Sequence, residues 1–167
     1  ERGTTAERRQ ELVNIITKKN FESYIAQSYQ AINQSDIGKA KQKVSAAKKI
    51  FPNRQEIQNV ESAIQGLEKQ QRIANYQQAA QTAMASDSWP EAKRQLELVL
   101  KEQVADKTTQ QSLNTATQII AFNNEFDNHL DNPYRLSNKQ LTASVKTKIE
   151  AAQTFTNVSP SLDKKAK

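Results

Sequence analysis

The residues with the greatest potential for chemistry in this sequence lie around His129, which is the single histidine of the chain. Glu125 precedes it by four positions and so shares its face on a helix, and Asp131 follows it by two. A zinc site needs more histidine or carboxylate ligands than this group supplies. A histidine close to the C-terminus of a helix is explained more simply by its favourable interaction with the helix dipole. We therefore predict no metal at this position.

Other kinds of catalytic chemistry lack the residues they require. The chain has no cysteine, which excludes disulfides, thiolate metal sites and cysteine nucleophiles. Its three glycines, at positions 3, 38 and 66, are too far apart for a phosphate-binding loop. The acidic segment 127–132 lacks the glycine and the terminal glutamate of an EF-hand loop. No serine has a candidate base other than His129. The sequence therefore predicts a protein that is not an enzyme and that uses no cofactor.

A cluster of lysines in one short segment is the strongest charge signal in a chain whose net charge is +6. The five residues are Lys39, Lys41, Lys43, Lys48 and Lys49. On a helical wheel the apolar residues of this segment fall within roughly 60°, and the lysines spread over the remaining arc without aromatic neighbours. Nucleic-acid sites more often gather basic and aromatic residues on one face. The pattern favours a solvated helix face, and a surface for nucleic acid or anionic lipid headgroups is the alternative.

The elements that would position these residues are all predicted to be helices. Alanine, glutamine, lysine and glutamate dominate the composition, and apolar residues recur with helical spacing. In the first helix the predicted core stripe consists of Leu12, Ile15, Ile16, Tyr24, Ser28 and Ala31. The helix boundaries are marked by a capping box at Thr4, the Ser-Asp pair at 35–36, Pro52 and the Ser-Trp-Pro-Glu segment at 88–91. Another boundary is predicted at 131–140. The predicted order is a long helix followed by a short helix, three times over.

An internal repeat underlies this order, and its first two copies are offset by 52 residues. In the short helices Ile37, Ala40, Val44 and Ala47 align with Trp89, Ala92, Leu96 and Val99. In the long helices Tyr24, Ser28 and Ala31 align with Tyr76, Ala80 and Ala83. Small residues at matched positions let two antiparallel helices approach closely. We predict one repeat domain over residues 1–156, with units at about 5–52, 53–104 and 105–156, and a frayed tail or linker at 157–167.

The repeat resembles the tetratricopeptide repeat. Residues 21–54 follow its helix–turn–helix pattern, with matches at Tyr24, Ser28, Ala40, Val44, Ala47 and Pro52. Residues 73–106 match at Tyr76, Ala80, Ala92 and Leu96, and the third unit matches in outline. The family repeats every 34 residues, so about 18 residues are added to each long helix here. The resemblance implies three helical hairpins with extended long helices, packed as a bundle or as a short solenoid.

The same resemblance implies a binding surface on the long helices, because tetratricopeptide-like units turn these helices toward their concave side. The residues that lie there, off the core stripe, are Tyr29, Asn33, Gln77, Gln81 and Met84. We expect them to line a groove that binds another protein or a peptide. The alternative is that they pack against the added helix length. Trp89 is expected to wedge between successive hairpins rather than to stack on a ligand.

A second resemblance concerns the run DNPYRLSNKQLTASVKTKIEAAQTFTNVSPSL. It is similar to the helical region of uncharacterised membrane-anchored proteins of gammaproteobacteria, and the similarity rests on residues 132–136 and on Ser159–Pro160. It implies a segment of a larger inner-membrane protein on the periplasmic side, with its anchor outside this segment. We therefore expect a non-enzymatic protein-interaction or spacer module. A basic module that binds nucleic acid or anionic lipid headgroups is the alternative.

Overall fold

The computed structural model describes residues 4–131, 139–155 and 157–167, and these residues form helices without any strand. The prediction of an all-α fold is confirmed for this part of the chain. Residues 132–138 of the boundary predicted at 131–140 lie outside it. In chain order the helices are α1 (Thr5–Asn33), α2 (Ile37–Ile50), α3 (Gln55–Ala85), α4 (Trp89–Glu102), α5 (Lys107–Leu130), α6 (Lys139–Ala152) and α7 (Pro160–Ala166), with a 3₁₀ turn at Gln153–Phe155.

The chain divides into two compact units, Glu1–Gln71 and Arg72–Lys167, and the division falls inside α3. The sequence predicts one repeat domain over 1–156, and the observed division differs from that. The physical reason lies in α3, which is 31 residues long. Its first part contributes to the core of unit 1 and its last part to the core of unit 2. Every residue from 65 to 79 is exposed or half-buried, so the middle of α3 belongs to neither core.

Unit 1 packs α1, α2 and the first part of α3 around small side chains. Ala31, Ala40 and Ala47 are fully buried, which lets the helix backbones approach one another closely. The larger side chains that fill the remaining space are Phe21, Val44, Ile57, Val60 and Ile64. The rings of Phe21 and Phe51 meet edge to face with their centroids 5.3 Å apart. The small residues therefore set the helix spacing and the large ones fill it.

Unit 2 follows the same plan with the last part of α3, α4, α5 and the C-terminal helices. Ala80, Ala83, Ala92 and Ala116 are buried at its helix contacts. The larger residues of this core are Trp89, Leu96, Ile119, Phe126 and Leu162. Trp89 is buried against this core, so its ring is not available to stack on a ligand.

The turns after α1 and α3 have the same backbone geometry at the predicted offset of 52 residues. Ser35 and Asp87 both have φ of 58°, in the left-handed region that few residues other than glycine adopt. The amide of Asp36 donates a hydrogen bond to the carbonyl of Ala31 at 2.9 Å. In the same way, the amide of Ser88 donates to the carbonyl of Ala83 at 2.8 Å. These are Schellman motifs, which satisfy carbonyls at the helix end. The repeat seen in the sequence is thus also a repeat of local structure.

The sequence predicts a frayed tail or linker at 157–167, whereas in the structure this segment contains helix α7. Ser159 and Leu162 are fully buried, and Leu162 belongs to the core of unit 2. The carboxylate of Asp87 accepts a hydrogen bond from the Ser159 hydroxyl at 2.7 Å and another from the Ser161 amide at 2.8 Å. These bonds join residues more than 70 positions apart, so local sequence patterns do not show them.

The first half of α1 also departs from the core stripe that the helical pattern indicates. Leu12, Ile15 and Ile16 belong to that pattern, but all three are exposed. The first buried side chain of α1 is Phe21. The reason is helix length: α1 has 29 residues and α2 has 14, so α2 covers only the C-terminal half of α1.

We predict opposite effects for two glycine substitutions in the repeated turn. Ser35→Gly removes the steric cost of the left-handed conformation and should stabilise unit 1 by about 0.5–1 kcal/mol. Asp87→Gly relieves the same backbone cost but removes a hydrogen-bonded carboxylate, so it should destabilise unit 2 by about 2 kcal/mol. Urea unfolding followed by circular dichroism and by the fluorescence of the single tryptophan measures the two effects. Stabilisation by both changes would show that the Asp87 side chain does not hold α7.

Ala40→Glu and Ala92→Glu are each expected to destabilise their unit by about 3 kcal/mol or more, because a large unpaired charge would enter a close helix contact. Both alanines are completely buried. Lys39→Glu is the matched control, since Lys39 is exposed and the change should cost less than about 0.5 kcal/mol. Urea unfolding of the three variants compares them. An alanine variant as stable as the control would contradict the assigned helix packing.

Candidate binding surfaces

The structure places Tyr29 and Asn33 on the outer face of α1, in unit 1. Both are exposed, and 40% of the Tyr29 surface is accessible to solvent. The inward face of the same stretch is formed by Ser28 and Ala31, which contribute to the helix contacts of unit 1. Because Tyr29 lies roughly 100° and 200° from these two residues around the helix, its ring points away from the core. It is available to a partner.

Gln77, Gln81 and Met84 lie on α3 in unit 2, so the structure assigns the predicted groove residues to two different units. Gln77 and Gln81 are exposed and stand one helical turn apart. Met84 is half-buried and lines a cavity of about 220 Å³ together with Trp89, Thr108, Gln111, Ser112, Thr115 and Val158. The two glutamines form an exposed amide pair, and Met84 packs against the core beside them.

The lysines of α2 do not form a free positive face. Lys41 forms an ion pair with Glu68 at 2.5 Å, and Lys48 forms one with Glu61 at 2.7 Å. Both glutamates lie on the first part of α3, and a groove of about 550 Å³ opens beside these pairs. The ammonium group of Lys43 lies over the ring of Tyr24, 5.8 Å from its centroid. The remaining two, Lys39 and Lys49, are exposed.

The ion pairs lower the positive charge that α2 presents to solvent. Exposed pairs of this kind contribute at most about 1 kcal/mol to stability each. The pairs matter more for the recognition of an anionic partner, because two of the five lysines already have a carboxylate partner within the chain. The sequence pattern could not show this, since the glutamates lie on another helix.

His129 lies beside one carboxylate, with its Nε2 atom 3.8 Å from Oε1 of Glu125. The ammonium group of Lys148 on α6 also binds Glu125. Asp131 caps the C-terminal end of α5 and is exposed. In the described part of the chain, no three His, Asp or Glu side chains converge in a way that could hold a metal ion. Glu125 is therefore an ion-pair partner between two helices of unit 2.

Asp87 is the centre of a polar cluster that sequence reasoning missed. Besides Ser159 and Ser161, its carboxylate accepts a hydrogen bond from the indole N–H of Trp89 at 2.5 Å, and that N–H also lies 3.2 Å from the Ser159 hydroxyl. Burial alone would raise the pKa of Asp87, but the hydrogen bonds from Ser161, Ser159 and Trp89 outweigh it and lower the pKa below its ordinary value. The hydrogen bonds of Asp87 join the turn after α3 to Ser159 and Ser161 at the start of α7, so the cluster holds α7 against unit 2.

Among the described residues, no helix combines the length and the apolar character that crossing a bilayer requires. Comparison of the chain with protein-family models, with curated proteins and with solved structures found no match.

We predict that unit 2 loses stability in acid partly through Asp87. Its folded pKa is lower than its unfolded pKa, so its contribution is complete above the unfolded value near 3.8 and is lost as the pH falls through the folded value. The pKa of Glu91, lowered to about 2 by hydrogen bonds from Arg94 and Gln95, acts in the same pH range. Asp87→Asn isolates the first contribution, because Glu91 is unchanged in it.

The measurement is the urea midpoint of tryptophan fluorescence between about pH 6 and pH 2 for the wild type and for Asp87→Asn. We expect the wild type to be more stable at pH 6 and the difference to shrink below about pH 4. A difference that stays constant across this range would show that the Asp87 charge does not contribute.

Proposed function

We propose that this chain is a non-enzymatic binding module whose long helices contact another polypeptide through their exposed faces. One observation carries the proposal. The outer side of α1 presents large apolar or aromatic side chains to solvent, at Leu12, Ile15, Ile16 and Tyr29. Apolar side chains that share one face of a helix are the anchors of helix-in-groove and helix–helix recognition. A helix that only separated two parts of a protein would gain nothing from them.

The amide pair on α3 supports the same function in unit 2. Gln77 and Gln81 each offer two donors and one acceptor oxygen with two lone pairs, which suits the backbone of an extended or helical peptide. A shallow pocket of about 430 Å³ lies on another side of α3, lined in part by Gln78, Thr82 and Ser88. The amide pair is polar, so it would contribute specificity more than affinity.

The proposed architecture is a tetratricopeptide-like series of long–short hairpins: α1 with α2, α3 with α4, and α5 with α6. The support for it is the shared turn geometry at Ser35 and Asp87, together with the common 14-residue length of α2 and α4. Repeats of this kind present extended helical surfaces rather than enclosed active sites. The absence of an enclosed active site in such repeats agrees with a sequence that contains no clear nucleophile–base pair.

The competing proposal is a basic module for nucleic acid or anionic lipid headgroups, carried by the lysines of α2. The pairing of Lys41 and Lys48 with glutamates counts against it. Polyanion binding would weaken steeply as the salt concentration rises, whereas recognition through apolar and amide groups would change little. Salt dependence therefore separates the two.

The test compares three double variants of the chain as immobilised bait. Tyr29→Ala with Asn33→Ala removes the α1 contacts, Gln77→Ala with Gln81→Ala removes the α3 contacts, and Lys39→Gln with Lys49→Gln is the control. Proteins captured from extract of the native host are quantified by mass spectrometry at two salt concentrations. Far-ultraviolet circular dichroism first confirms that each variant is folded.

We expect at least one of the first two variants to lose about ten-fold or more of a captured protein, with little change in the lysine variant. Loss that is confined to the lysine variant, together with wild-type capture that falls steeply as salt is added, would overturn the groove proposal in favour of polyanion binding. Unchanged capture in all three variants would exclude both surfaces.

A further inference from the structure

The first half of α1 is a helix that nothing in unit 1 covers. Leu12, Val13, Ile15 and Ile16 have 59%, 53%, 46% and 57% of their surface exposed. From Thr5 to Asn20 the helix has no buried side chain. Helical segments of this length are marginal in water without packing partners. A partner for this face would bury apolar surface and stabilise the helix at the same time.

The exposed face continues along the whole of α1 with a spacing of alternately three and four residues. Its central members are Leu12, Ile15, Lys19, Glu22, Ala26 and Tyr29, and all six are exposed. Arg8 and Asn33, also exposed, extend the spacing at the two ends. Such spacing is that of the a and d positions of a coiled coil, and it spans about 37 Å of helix. We call this set of residues the outer stripe.

We propose that the outer stripe is the interface for a second copy of this chain, with the two α1 helices packed antiparallel. A two-fold axis between positions 20 and 21 makes the stripe complementary to itself. Lys19 of one copy then faces Glu22 of the other, Ile15 faces Ala26, and Leu12 faces Tyr29. In antiparallel coiled coils an a position faces a d position in the same way.

Each of these pairs is physically favourable. Lys19 and Glu22 form two symmetry-related ion pairs at the centre. Among the described residues, Glu22 pairs only with the exposed Lys18, at 3.9 Å. The large Ile15 lies opposite the small Ala26, so the helices approach closely while apolar surface is buried. Charge and size complementarity therefore agree on one register.

The flanking positions agree with that register as well. Arg9 comes beside Gln30 of the other copy, and Ile16 comes beside Ser23. On the opposite flank, Glu11 comes beside the half-buried Ile32 of the other copy, and Lys18 comes beside its half-buried Ile25. No pair brings like charges together. A parallel pair would instead place Lys19 beside Lys19, Glu22 beside Glu22 and Arg8 beside Arg8, which is unfavourable at every charged position.

This inference rests on the proposed function and names one partner for it, another copy of the chain, on α1. The amide pair on α3 is left free for a different protein. Dimerisation and capture of other proteins can therefore be measured separately. Loss of dimerisation with capture by α3 intact leaves the proposed function standing, and loss of capture with dimerisation intact leaves this inference standing.

The first test measures the mass of the complete chain by sedimentation equilibrium. We expect a monomer–dimer equilibrium, with the mass rising from 18.8 kDa to about twice that value over concentrations from about 1 to 500 µM. Lys19→Glu and Glu22→Lys each place like charges at both central pairs, so each variant alone should dimerise at least about ten-fold more weakly. Lys39→Glu changes the net charge as Lys19→Glu does, off the stripe, and should leave dimerisation unchanged.

The decisive experiment combines the two charge changes. An equimolar mixture of the Lys19→Glu and Glu22→Lys chains restores both ion pairs and should form heterodimers with about the affinity of the wild type. The doubly substituted chain should dimerise with itself for the same reason. A partner of another kind would not produce this rescue, whether it were an acidic helix of a different protein or an anionic membrane.

The second test reports the direction of the helices and uses the absence of natural cysteines. Leu12→Cys and Tyr29→Cys chains should form a disulfide with each other on mild oxidation, and neither should form one with itself, because like positions lie about 25 Å apart along the antiparallel pair. Self-linkage of Leu12→Cys alone would show a parallel arrangement and overturn the inference. The inference would also be overturned if the wild type stayed monomeric throughout the concentration range. The same holds if neither charge reversal changed the dimerisation affinity.

Discussion

Close approach of helix backbones at small side chains is the constraint on which both units of this protein depend. Hydrophobic residues make up only 36% of the chain, so large apolar side chains are few. Ala40 and Ala47 in unit 1 and Ala92 and Ala116 in unit 2 are completely buried. An alanine buries little surface by itself, but it lets the neighbouring helix come near enough for every large residue beside it to make full contact. The exposed faces can then be rich in glutamine, lysine and asparagine without loss of the core.

The repeated turn shows how one backbone geometry serves two purposes. At Ser35 the left-handed conformation only reverses the chain between α1 and α2. At Asp87 the same conformation also directs a carboxylate toward α7, where it receives hydrogen bonds from Ser159 and Ser161. The strain at this residue is thus accompanied by polar contacts that close the core of unit 2. The difference lies in the side chain, since the backbone is shared.

Helix length decides which part of α1 remains uncovered. Because α1 is about twice as long as α2, half of α1 extends beyond its packing partners and keeps its apolar residues in water. The outer stripe begins in this half and continues along the outer face of the packed half, with the spacing of a coiled-coil seam. The exposure of its apolar residues Leu12 and Ile15 therefore arises from the unequal lengths of the paired helices. The lysines of α2, by contrast, are drawn into ion pairs with α3 because those two helices run side by side.

The sequence by itself determined the helical class, most helix boundaries, the alanine contacts and the 52-residue repeat. These follow from capping residues and from 3.6-residue periodicity, which act within one or two turns of helix. It also placed Tyr29, Gln77 and Gln81 off the core stripe. Only the tertiary structure decided that Leu12 and Ile16 face water, that α3 is shared between two units, and that residues 160–166 form a helix that buries Leu162. Each of these depends on the length of a neighbouring helix or on a contact such as Asp87 with Ser159, and neither is encoded in the residues adjacent along the chain.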